Sequence, residues 1–127
     1  MAMVLLYNFT DPERRMRLKL CLFRLGLRCI DVEPERQGEP LGALLGLPGY
    51  EAVGEAERFT EEMLVMHDLS REQFASLLDG LRRSRVPVAL KAVVTETNVS
   101  WSSARLHREL AAEHAAMRAK GRSPHGA

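Results

Sequence analysis

"MLVMHDLSREQFASLLDGLRRSRVPVALKAVV", residues 63–94, is the stretch that decides the fold. It starts with an apolar run, Met63 to His67, bounded by turn chemistry, which reads as a buried strand. Ser70 with Gln73 three residues later forms a capping box, the signature of a helix start. Phe74, Leu77, Leu78 and Leu81 then follow the i, i+3, i+4, i+7 rule of an amphipathic helix. A second apolar run, Val86 to Val94, predicts another strand. Pro87 lacks an amide donor and belongs at its entrance or on an edge. A helix between two apolar strands points to a parallel crossover pair. A thioredoxin-like arrangement is the main rival. It needs its last two strands antiparallel, and the helix pattern between them argues against that.

Working outward, residues 101–117 read as a last helix, with Leu106, Leu110 and Met117 on its buried side. Upstream, Met3 to Phe9 reads as a strand. Thr10 with Glu13 forms a further capping box, and Pro12 suits a first helical turn. The helix that follows carries Met16, Leu20 and Phe23 at helical spacing, widened by Leu18, Leu22 and Leu25. Gly26 is its stop, because glycine adopts the left-handed cap without a side-chain clash. Leu27 to Val32 reads as a strand and residues 33–39 as a loop. Residues 40–46 suggest a short helix, weakened by its glycines. Residues 51–61 are acidic and weakly patterned, as in a surface loop. The order is βαβαβαβα, and it predicts a three-layer α/β sandwich with a mostly parallel four-stranded sheet. Residues 1–118 form the single expected domain and 119–127 a flexible tail. Neither a repeat nor a low-complexity segment is visible.

Composition narrows the function. Eighteen basic residues against 17 acidic leave a net charge of +1, which argues against nucleic acid as the partner. No run reaches the ~18 apolar residues of a membrane span, so no membrane is implied. The N-terminus lacks the pattern of a secretory signal, and the expectation is a cytoplasmic protein. Cys21 and Cys29 form no CxxC motif and read as reduced, buried thiols.

In open α/β sheets ligands bind beyond the carboxyl ends of the strands. Those ends offer Asn8 and Thr10, Asp31 and Glu33, His67 and Asp68, and Thr95 to Asn98. Lys91 lies within the last strand and must emerge at an edge, pair with a carboxylate or face a ligand. Asn98 or Ser100 would cap the last helix, with Ser102 and Ser103 in its first turn and Trp101 beside a planar ligand. The first amides of a helix lack internal partners and attract anions. Yet Asn and Ser are also the commonest caps. The cluster is thus either an anion site or a capped helix packed on the core. No GxGxxG or GxxxxGK[ST] motif occurs. His107 and His114 lie seven residues apart without a metal-ligand spacing, so neither metal nor cofactor is implied. Arg105 and Glu109 read as a solvated helix pair.

The segments "EEMLVMHDLS" and "ALKAVVTETNVSWSSARLHRELAAEHAAM", together residues 61–117, resemble a family of small bacterial and archaeal proteins of unknown function. The shared pattern is an apolar strand with K-A-V, then T-x-T-N, a tryptophan, and a helix rich in E-L and E-H. Some members carry a label relating them to pyruvate formate-lyase activation. That label implies three closely spaced cluster cysteines, whereas this chain has only two. The resemblance carries over no catalytic residues.

The leading reading is therefore a non-enzymatic or accessory domain that binds a small polar or anionic ligand or a protein partner. Its candidate ligand-binding residues are Asn8, His67, Lys91, Thr95, Thr97, Asn98, Ser100 and Trp101. The alternative is a small enzyme using the cleft at the strand ends, with Lys91 or His67 as acid/base. A homodimer is expected too, through a free sheet edge or through Ala111, Ala112, Ala115 and Ala116 on the last helix.

Overall fold

The computed structural model describes residues 1–54 and 56–121. Its elements are β1 (Met3–Tyr7), α1 (Pro12–Arg24), β2 (Arg28–Val32), a 3-10 turn (Pro34–Arg36), α2 (Leu41–Leu44), β3 (Met63–His67), α3 (Arg71–Arg83), β4 (Leu90–Val93) and α4 (Ser103–Gly121). Residues 122–127 of the expected tail lie outside the described residues. No described helix is long and apolar enough to cross a membrane.

The fold is mixed α/β, with a single sheet in the order β2-β1-β3-β4. β1 and β2 run parallel, as do β3 and β4, but the central pair β1/β3 is antiparallel. The parallel β3/β4 pair is the one that residues 63–94 predict, and it sets the fold apart from a thioredoxin-like sheet. The antiparallel centre was not predicted. Among its described residues the β2–β3 connection holds only the 3-10 turn and the four-residue α2, so no crossover helix signals its direction. The molecule is thus built from two β-α-β halves, β1-α1-β2 and β3-α3-β4, pointing in opposite directions. Their helices are both 13 residues long.

Alternation of side chains along each strand builds two apolar clusters. Val4, Leu6, Leu64 and Met66 pack with Leu18 and Leu22 of α1 and with Leu77 and Leu81 of α3. From the opposite sides of the same strands, Leu5, Tyr7, Met63 and Val65 pack with Leu41 and Leu44 of α2 and Leu106 of α4. Val86 and Val88 are buried in the first cluster although strand pairing begins only at Leu90. Pro87 therefore precedes the strand.

Local details differ from expectation where two signals compete. The α1 cap is Asp11, not Thr10: its carboxylate accepts the Arg14 N–H at 3.3 Å. Ser70 and Gln73 do form the reciprocal capping box of α3. The glycines of α2 weaken it as a helix but serve its packing. A Cβ on Gly42 would meet the Tyr50 ring at 2.4 Å.

The apolar faces of two helices are also placed differently. In α1 the buried residues are Leu18, Cys21 and Leu22, while Met16, Leu20 and Phe23 are 66%, 45% and 80% exposed. The buried set, continued by Leu25, itself follows i, i+3, i+4, i+7, so spacing alone does not choose between the two stripes. In α4, Leu106 is buried and Leu110 half-buried, but Met117 is exposed along with the rest of residues 115–120.

Candidate functional site

The antiparallel centre splits the strand ends that a parallel sheet would have gathered. Met3 pairs with His67 and Tyr7 with Met63. The carboxyl ends of β1 and β2 therefore lie at one end of the sheet and those of β3 and β4 at the other. Asn8 and His67 are separated by the length of the strands. Lys91 stands opposite Leu64 on edge strand β4. It is exposed, and its ammonium donates back to the Val88 carbonyl, away from His67. The candidate residues do not converge on one cavity.

Asn8 is occupied by the fold. It sits at a positive φ of 61° after β1. Its amide nitrogen donates to the Phe59 carbonyl at 3.0 Å and the Glu61 carbonyl at 2.9 Å. Its amide oxygen accepts from Gln37 Nε2 at 3.1 Å, and Gln37 Oε1 accepts the Phe59 N–H at 2.8 Å. The fully buried Gln37 has no sequence signal beyond lying in a polar loop. The two amides tie the long β2–β3 loop to the end of β1. At the same sheet end, Asp31 is held below the usual carboxylate range. Burial pushes it up, but hydrogen bonds from Arg15 and Lys19 outweigh that.

The stretch after β4 divides into a turn and a cap. Asn98 Oδ1 accepts the Thr95 N–H at 2.8 Å, while Thr95 Oγ1 accepts the Asn98 N–H at 3.1 Å. Asn98 Nδ2 also donates to the Val93 carbonyl at 3.1 Å. Asn98 therefore closes a turn, and Thr97 on that turn is exposed. The α4 cap is Ser102, not Asn98 or Ser100: its hydroxyl accepts the Arg105 N–H at 3.1 Å and its carbonyl the Leu106 N–H at 3.1 Å. The Ala104 N–H goes to the Gln37 carbonyl at 3.0 Å. The Ala104 and Arg105 amides, which an anion at this terminus would use, are thus already bonded. Ser103 is fully buried and shares a 2.6 Å hydrogen bond with the Tyr7 hydroxyl. Burial pushes the Tyr7 hydroxyl strongly up, more than the bond to Ser103 draws it down.

Backbone bonds dock this segment on α2. Leu41 N–H donates to the Trp101 carbonyl and Gly42 N–H to the Val99 carbonyl, both at 2.9 Å. The docking opens a surface cleft of about 320 Å³ lined by Ser100, Trp101, Ser102, Arg105 and Arg108, with Gly38 and Gly54 on its other wall. Gly54 is required there, since a Cβ would lie 1.8 Å from the Gly38 carbonyl oxygen. The Arg105 guanidinium stacks over the Trp101 ring, 4.1 Å from its centroid, rather than pairing along the helix. Arg108 pairs with Glu57. Of the candidates from sequence, Ser100 and Trp101 reach this cleft. Arg105 and Arg108 were missed as site residues, because one face of a solvated helix looks like another until the loop residues Gly38, Pro40, Val53 and Gly54 are set beside it.

Beside it, Phe59 stacks on His107 with centroids 4.3 Å apart, and His107 Nε2 lies 2.9 Å from Glu61. No described group of three or more His, Cys, Asp or Glu residues is arranged to hold a metal ion.

Residues 62–117 match the model of a domain of unknown function (DUF3783). The match runs from just before β3 into α4 and takes in Ser100, Trp101, Arg105 and Arg108. Its description carries no activity, and none relating to pyruvate formate-lyase. No curated protein matches the chain.

Proposed function

We propose that this protein is a non-enzymatic binding domain that holds a small anionic ligand in the cleft between the start of α4 and the loop residues Gly38, Pro40, Val53 and Gly54. The observation that carries the reading is that Arg105 and Arg108 line one cleft with Ser100 and Ser102 around Trp101. Guanidinium groups present forked donors that suit phosphate and carboxylate, and they do so without a free helix terminus. The Trp101 face already accepts one planar cation, so an anion bridging the two arginines would leave that stack in place. Glu57 now occupies Arg108 as an internal anion, and the ligand would take its position.

Trp101 is the one tryptophan of the chain and reports on its own site. Inorganic phosphate, pyrophosphate, citrate and a nucleoside triphosphate are titrated against its fluorescence and against the melting temperature. At 100 times the dissociation constant a bound anion adds about 2.7 kcal/mol of stability, several degrees for a domain of this size. The R105A/R108A protein loses both responses. A wild-type protein indifferent to all four anions at millimolar concentration overturns the reading.

A further inference from the structure

The outer face of α1 is the other feature that the fold leaves unexplained. Met16, Leu20 and Phe23 lie along it at i, i+4 and i+7, each largely or half exposed. Residues with that spacing form one continuous ridge, and contiguous exposed apolar surface marks an interaction site more often than scattered apolar residues do. Beside the ridge is a recess of about 200 Å³ lined by Arg17, Leu20, Cys21, Arg24 and Ser84. Arg17 and Arg24 lie two helical turns apart, about 10 Å, with Leu20 and Cys21 between them. Arg17 pairs only with exposed Glu13, and Arg24 has no acidic partner among the described residues.

We infer that α1 is a docking surface for an acidic amphipathic helix of another protein, which sets an apolar side chain into the recess and carboxylates against Arg17 and Arg24. Charge selects this occupant. Of the basic residues of α1, Arg14 is held by Glu62 and Arg15 and Lys19 by Asp31, which leaves Arg17, countered by Glu13, and Arg24 as the cations beside the ridge. A second copy of the chain meeting it face to face would bring like charges together. An anionic lipid surface satisfies the arginines and the ridge but has no use for a recess between them. A helix lying along a ridge and groove uses all three features.

The test uses a synthetic 18-residue helical peptide with leucines on one face and glutamates at matching two-turn spacing on its flanks. A twin carrying lysines in place of the glutamates is the control. Binding of the labelled peptides to the full chain is followed by fluorescence anisotropy. The acidic peptide is expected to bind saturably and at least tenfold more tightly than its twin. L20S/F23S weakens it at least tenfold without changing the circular dichroism spectrum. R17E/R24E keeps the apolar ridge and reverses the preference, so it decides the matter even if the serine variant does not fold. Equal binding of the two peptides, or no binding, overturns the proposal. So does binding confined to vesicles of phosphatidylserine and phosphatidylcholine, or a homodimer that the acidic peptide does not compete with. Neither α1 variant touches the Trp101 cleft, so the two sites fail or stand independently.

Discussion

Tyr7 and Ser103 carry two of the fully buried polar groups of the molecule, and each depends on the other. Both side chains are buried, and their hydroxyls lie 2.6 Å apart. Removing one hydroxyl leaves its partner unsatisfied in an apolar surround, at a cost of about 1–3 kcal/mol. Tyr7→Phe and Ser103→Ala are therefore each expected to destabilise by that amount in urea unfolding. Removing both strands neither, so the double replacement is expected to fall well short of the sum. Simple additivity would mean that the hydrogen bond contributes nothing as a pair. Neither partner is legible as such in the sequence. Tyr7 looks like one more apolar strand residue, and Ser103 one of a row of helix-start hydroxyls. Their pairing spans 96 positions of sequence. The Thr95–Asn98 turn, by contrast, is a local bond that the residue types already suggest.

At the scale of the element, the capping box of α3 is a local interaction, and Ser70 and Gln73 form it as their spacing predicts. The orientation of α1 is different. Its leucines, methionine and phenylalanine surround much of the helix, so two stripes compete for the core. The sheet takes Leu18, Cys21 and Leu22, and Gly80 of α3 leaves room for the Cys21 sulfur, which a Cβ there would approach to 2.7 Å. Leu22→Ala is expected to cost about 2–5 kcal/mol, while Leu20→Ser should stay within about 0.5 kcal/mol. Thermal melts of the two variants check this. A larger loss at Leu20 would mean that α1 is rotated from the orientation described.

For the molecule as a whole, stability should be graded across the sheet. β1 and β3 are paired on both sides, whereas β2 and β4 are edges. Native-state hydrogen exchange is expected to show the β1 and β3 amides opening only with global unfolding and the β4 amides opening earlier. Protection of β4 equal to that of β3 would refute the gradient, and would itself point to pairing of that edge with another chain.

Local chemistry alone determined the strands, the helices between them and the parallel β3/β4 pair, because apolar period, capping and crossover length act over a few residues or one crossover. It also pointed to residues 95–103 as a place to look. Only the tertiary structure decided the direction of β1 against β3. Both strands are apolar on both faces, so parallel and antiparallel pairing bury the same side chains, and the pattern is silent on the choice. That one decision separated Asn8 from His67. Trp101, Arg105 and Arg108 share one face at i, i+4 and i+7, but only the docked loop residues Gly38, Pro40, Val53 and Gly54 make that face the wall of a cleft.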